Sequence, residues 1–207
     1  MPYLYLTVEP VWQAVADAMT PYVERSGINL RLQMPPAGAE RDAIRLVLHR
    51  RPHSALGAAI YYTPMGASVR FSFCLNQSLR QLPQLAQRVY SRAGAIGGSL
   101  RPTGVATVLA AFGAPDSLPA DALARALSQA AACHFRLPTL EAQPEQPARL
   151  GRNGSQTLLR YPSAASGGYR AVPSGDALSV LGLRGEYFLV RHQELLGYLP
   201  QQQVELI

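Results

Sequence analysis

A short apolar run at Tyr3, Leu4, Tyr5 and Leu6 is followed by apolar residues at Val8, Val11, Trp12, Val15, Met19, Tyr22 and Val23. The run predicts a strand. The later stripe has a period near 3.6 and predicts an amphipathic helix, with Thr7 as its N-cap, Gly27 as its stop and Pro21 shortening its last turn. Strict alternation follows, with Ile28, Leu30, Leu32 and Met34 opposed to Asn29, Arg31 and Gln33, as in a half-buried strand. Further strands are expected with Ile44, Leu46 and Leu48 facing inward, over residues 57–63, and at Val69, Phe71, Phe73 and Leu75 after the Pro64-Met65-Gly66 turn. Short turns between neighbouring runs predict an antiparallel meander.

Asn76 caps an expected helix with Leu79, Leu82, Leu85, Ala86, Val89 and Ala93 buried, bent at Pro83 and ending near Gly94. A strand is expected over residues 105–112. Asp116 or Ser117 then caps a helix through Leu118, Ala122, Leu123, Ala126, Leu127 and Ala130. The sum is an α+β fold, an N-terminal antiparallel sheet with three helices on one face, over residues 1–138. Residues 139–153, with Gln143, Pro144, Gln146, Pro147 and Gly151, read as a linker. Residues 154–207 carry short β-prone stretches punctuated by Pro173-Ser174-Gly175-Asp176, Gly182, Arg184-Gly185 and Gly197, which predict a small all-β barrel.

The formal charge of +6 comes entirely from arginine, because the 207-residue chain has no lysine. A Walker phosphate loop and Schiff-base chemistry both require a lysine amine and are excluded. Arg31, Arg45, Arg70 and Arg101 are candidate phosphate contacts if they form a stripe on an open sheet face. Cys74 and Cys133 lie far apart and suggest neither a zinc cluster nor a disulfide framework. With no basic N-terminal region and no apolar run of membrane-spanning length, the sequence predicts a cytoplasmic protein without a membrane partner.

The segments Gly175-Asp176-Ala177-Leu178-Ser179-Val180-Leu181, Glu186-Tyr187-Phe188-Leu189-Val190-Arg191 and Gly197-Tyr198-Leu199-Pro200 resemble SH3 domains, bacterial ones included. That resemblance implies a barrel whose aromatic shelf grips a peptide in extended or polyproline form. Leu159, Tyr161, Tyr187, Pro200 and Gln203 occupy the matching shelf positions, though Tyr187, Leu159 and Gln203 stand where the family carries tryptophan, tyrosine and tyrosine. Residues 1–140 resemble the YbjN and type III secretion chaperone superfamily in element order, which implies partner binding without catalysis.

The His49 and His53 pair brackets Arg50-Arg51-Pro52, where a helix presenting both on one face cannot persist, and the two read as exposed loop residues instead of metal ligands. Cys133-His134 are neighbours whose side chains diverge on a helix. Residues 94–98 follow a helix and so lack the context of a phosphate loop. The sequence therefore predicts no catalytic or metal site and no cofactor. The expected function is a non-catalytic adaptor, chaperone-like by the resemblance of residues 1–140, that binds an unidentified protein or peptide. The alternatives are a weak nucleic-acid binder using dispersed arginines and the SH3-like barrel, an unrecognised enzyme, and a structural subunit whose barrel only packs against its neighbour or forms a homodimer.

Overall fold

The computed structural model describes residues 1–36, 42–51, 54–64, 66–94, 104–137, 145–151 and 154–207. Strand β1 (Tyr3–Val8) sends Leu4 and Leu6 into the core, while Tyr3 and Tyr5 stack on the opposite face with centroids 6.1 Å apart. Thr7 lies inside β1, so it caps nothing. Pro10 opens a single 3-10 turn, Pro10–Trp12, that leads into α1 (Gln13–Arg25). Pro21 does not end this helix, which buries Val15, Met19 and Val23 and runs four residues further, from Pro21 to Arg25. The strand expected over residues 28–34 is confined to β2 (Asn29–Arg31).

The sheet is completed by β3 (Ala43–Arg51), β4 (Gly57–Tyr62), β5 (Val89–Ala93) and β6 (Ala106–Gly113), in the order β2-β1-β3-β6-β4-β5. It is not an antiparallel meander. β1 pairs in parallel with β2 and β3, and β3 with β6; only β4 runs against its neighbour β6, with β5 parallel to β4. Parallel neighbours need crossovers, and burial on both faces explains why β6, ATVLAAFG, is apolar but for Thr107 instead of alternating.

Val69 to Leu75, expected as a strand, belongs to helix α2 (Gly66–Arg80). The segment satisfies both periods. What decides is that Phe71, Cys74, Leu75, Ser78 and Leu79 recur at helical spacing and are buried, while Val69 and Phe73 are 44% and 60% exposed. The helix expected beyond Asn76 stops at Arg80, and Val89–Ala93 is β5. Helix α3 (Ala120–Phe135) packs between α1 and α2, and all three helices share one core with Leu4, Leu6, Ile44, Leu46, Val108 and Phe112.

Cys74 and Cys133 form a disulfide that ties α2 to α3, against the expectation of two unrelated thiols. Their separation of 59 residues hid the pair: sequence distance carries no information about two helices that the sheet brings side by side.

The second sheet contains β7 (Gln146–Leu150), β8 (Gln156–Leu159), β9 (Gly168–Val172), β10 (Ala177–Arg184), β11 (Tyr187–His192), β12 (Leu195–Pro200) and β13 (Val204–Leu206), in the order β13-β7-β10-β11-β12-β8-β9. Its pairings are antiparallel. Gln146–Leu150, expected as linker, is thus a strand held between β10 and β13. The molecule is a mixed α and β structure with two sheets.

Alternation along β11 divides its residues between two cores. Phe188 and Val190 join Leu150, Leu158, Val172 and Leu199, whereas Leu189 and Tyr187 join Met1, Leu196 and Tyr198. The second core is the seam between the sheets. Gly27 (φ +78°) admits the Tyr198 hydroxyl, which would lie 2.6 Å from any Cβ placed there. Arg191 pairs with Glu24 of α1 and with Glu145. Burial pushes the Glu24 carboxyl up despite Arg191, so desolvation offsets the attraction within this ion pair.

Reduction of Cys74–Cys133 is expected to lower stability by about 4 kcal/mol in the chain-entropy limit for a loop of this size. Thiol labelling of the native, unreduced protein should modify neither cysteine, and denaturant titration with and without reductant checks the energy. Gly27→Ala should cost about 1–3 kcal/mol, since it combines a left-handed backbone with a clash on Tyr198. Thermal melting measures that.

Candidate active site

The strand order of the first sheet reverses at β1. The chain passes from β1 through α1 to β2 on one side and later returns to place β3 on the other. In open sheets with parallel strands, the crevice at the carboxyl ends beside such a reversal is where ligands bind. Glu9 lies there, immediately after β1, and His49 lies one position beyond the last β1–β3 pair, Val8 with Leu48.

The Glu9 carboxylate is held at both oxygens. Oε1 lies 2.7 Å from His49 Nδ1, and Oε2 accepts the Arg50 backbone N–H at 2.9 Å. A carboxylate on Nδ1 makes that nitrogen the donor, and in the neutral ring Nε2 is then the acceptor. No partner for Nε2 is present among the described residues. Both side chains are about two-fifths exposed, 39% for His49 and 41% for Glu9, so the dyad is anchored but accessible. His49 is therefore a strand residue in a defined pair; His53 lies outside the described residues.

Register builds the rest of the site. His49, Ala111, Ala59 and Tyr90 form one row across β3, β6, β4 and β5, and Arg51, Gly113 and Gly57 form the next. Alternation puts His49 and Arg51 on the face with Val47, Ala59, Leu109 and Ala111, opposite the helices. Small residues thus form a floor between His49 and Tyr90, and Arg51 Nη1 spans it to donate to the Tyr90 hydroxyl at 2.7 Å. Gly113 cannot carry a Cβ because it would meet the Ala55 carbonyl oxygen. Tyr61 hydrogen bonds with Tyr90, and its hydroxyl is pushed up by burial, then by Tyr90. On the helix side, Arg50 and Asp116 form a loose pair at 3.9 Å.

The residues expected to contact phosphate do not form a stripe. Arg31 ends edge strand β2, Arg45 is buried in the centre of the sheet, where its Nε donates to Thr7 Oγ1 and burial lowers its pKa, and Arg70 is on α2, on the helix side. Arg101 lies outside the described residues. Of the expected peptide shelf, Tyr187 and Pro200 are cross-strand partners, and Leu159 and Tyr187 pack on the same seam core. Tyr161 is elsewhere, donating to Asp42 Oδ2 at 2.5 Å, and Gln203 sits in the 3-10 turn before β13, beside Gly151. The shelf is divided because β11 turns its Tyr187 side toward Met1 instead of solvent.

No protein-family model and no curated protein matches the chain. Among solved structures, the N-acetylmuramoyl-L-alanine amidase AmiC2 of Nostoc punctiforme is similar at 11% identity and a TM-score of 0.46, over 65% of this chain and 97% of that one. The catalytic domain of the CD27L endolysin, described as targeting Clostridia difficile, is similar at 10% identity and a TM-score of 0.43, over 63% of this chain and 97% of that one. One is an amidase and the other an endolysin catalytic domain; neither is an SH3 module, a YbjN protein or a secretion chaperone. The family resemblances drawn from sequence, and the non-catalytic adaptor reading built on them, are corrected by these findings. The pattern that suggested a peptide shelf described one half of a seam, and the Glu9–His49 dyad escaped notice because its members are 40 residues apart in sequence.

At the opposite edge of the sheet, His134 near the end of α3 is buried against Phe71 and Phe135. Burial, then the charge of Arg70, lowers its pKa to about 4. Because the folded value lies below the unfolded one, the unfolded chain takes up a proton first as pH falls. Stability from this group is present above about pH 6.5 and is lost as pH drops toward 4. Chemical denaturation between these pH values should show the decline, and His134→Gln should flatten it; NMR titration of the imidazole gives the native value directly.

Proposed function

We propose that the carboxyl edge of the parallel strands is the active site of a hydrolase in which His49, oriented by Glu9, is the general base. The observation that carries this reading is the doubly anchored Glu9 carboxylate on His49 Nδ1 at the strand-order reversal, with Nε2 left as an acceptor. Both cysteines are in the disulfide and lysine is absent, which removes thiol and amine nucleophiles, and in this reading His49 activates water.

In the reaction, Nε2 removes a proton from water as its oxygen adds to the carbonyl carbon of an amide or ester. Glu9 stabilises the imidazolium that forms. Collapse of the tetrahedral adduct breaks the carbonyl bond to nitrogen or oxygen, and the imidazolium returns its proton to the leaving group. The products are an acid and an amine or alcohol. Arg51, two residues along the same face of β3 and steadied by Tyr90, supplies positive charge for the developing oxyanion. The disulfide favours an oxidising compartment over the cytosol that the sequence suggested. The unit boundary falls before Gln146, because β7 belongs to the second sheet.

The test is turnover by the purified full chain of a panel of chromogenic esters and anilides, together with an N-acetylmuramoyl-L-alanine amide. His49→Ala should lower kcat/KM by about 10²–10⁴-fold, the usual contribution of a positioned base, with unchanged circular dichroism. Glu9→Gln should give a smaller loss, mainly in kcat. No turnover of any panel member, or full activity in His49→Ala, would overturn the assignment.

A further inference from the structure

The amino edge of the first sheet, opposite the dyad, carries a cleft of about 540 Å³, within the size range of small-molecule sites. Three parts of the chain converge on it. The first turn of α2 contributes Gly66, Ala67 and, one turn on, Arg70; the end of α3 contributes His134, Phe135 and Arg136; and Asp42 meets Tyr161 from the loop after β8. Arg136 caps α3 in the left-handed conformation (φ 56°), which turns the chain at the cleft wall.

The chemistry of this lining is that of an anion site. Arg70 and Arg136 are both exposed and bring two guanidinium groups to the cleft, the group best matched to the planar geometry of carboxylate and phosphate oxygens. The first N–H groups of α2 have no acceptor within the helix and add partial positive charge. His134 supplies an independent sign of a missing partner: it is only 7% exposed, lines the cleft, and its Nδ1 has no hydrogen-bond partner among the described residues. A buried imidazole nitrogen without a partner is costly unless something completes it. Asp42, the acidic residue of the lining, is engaged by the Tyr161 hydroxyl. Phe135 and Leu137 give the wall an apolar flank.

We propose that this cleft binds a small organic oxyanion, with its charged group held by Arg70 and Arg136 beside His134 and its apolar body against Phe135 and Leu137. The disulfide preserves the spacing. Cys74 is one turn beyond Arg70 on α2, and Cys133 directly precedes His134 on α3, so the bond that ties the helices also fixes two sides of the site. The site is separate from the Glu9–His49 dyad and does not depend on its being catalytic.

Phenyl phosphate and benzoate are suitable probes, with inorganic phosphate reporting the contribution of the charge alone. Titration of the full chain, followed by NMR at the His134 imidazole and by calorimetry, should show saturable binding of both aromatic probes, tighter than inorganic phosphate. Arg70→Gln and Arg136→Gln should each weaken binding by at least about tenfold, the scale of one charge-assisted hydrogen bond, while retaining the native spectrum. His49→Ala should leave it unchanged, so failure here and failure of the hydrolase reading are distinguishable. Absence of any response at His134, or binding undiminished in the two arginine variants, would overturn the proposal. Equal affinity for inorganic phosphate and the aromatic probes would refute the apolar subsite.

Discussion

The parallel pairing of β1 with β3 sets the geometry of everything around it. It runs without a bulge from Tyr3–Ala43 to Val8–Leu48, and because the strands are parallel, their carboxyl ends emerge together. Glu9 is therefore delivered beside His49 by backbone hydrogen bonding, without any local motif. The same pairing brings their amino ends together, where Pro2, Asp42 and Ala43 line the cleft. An antiparallel pairing of the same segments would have put Glu9 and Asp42 at one edge and dispersed both sites.

Parallel strands also impose the distribution of helices. α1 carries the chain back along the sheet between β1 and β2, and α2 and α3 fill the same layer, with Phe71, Leu75, Leu123 and Leu127 buried against Leu46, Val108 and Phe112. The opposite face carries the smaller cluster of Val47, Ala59, Leu109 and Ala111 and the polar group of His49, Arg51 and Tyr90. Both faces thus bury apolar side chains, the helix side in the larger cluster and the opposite side in the smaller one. The disulfide reinforces the helix layer where it borders the cleft.

The second sheet is joined to the first along a mixed seam. Met1, Leu189, Leu196 and Tyr198 form its apolar centre, Gly27 gives the Tyr198 ring room, and Arg191 with Glu24 and Glu145 forms its polar margin. Tyr161 reaches from this sheet to Asp42 at the cleft. The second unit thus helps to shape a wall of the cleft as well as packing against its neighbour.

Much of the local structure was legible in the residues themselves. The stripes that form α1 and α3, the strands at residues 43–51, 57–62 and 106–113, and the β-rich C-terminal region all follow from periodicity and turn residues, which act over a few positions. The sequence also excluded amine chemistry by lacking lysine. It could not separate helix from strand at Val69 to Leu75, where both periods fit and tertiary burial of Phe71, Cys74 and Leu75 decides. Nor could it give strand direction, the partner of Cys74, or the side of β11 that faces a neighbour, since alternation distinguishes two faces without saying what covers either. Both candidate sites belong to this second group. Glu9 with His49, and Arg70 with His134 and Arg136, are assembled across tens of residues by strand order and helix packing, long-range choices that depend on which surfaces can be buried together and not on any local pattern.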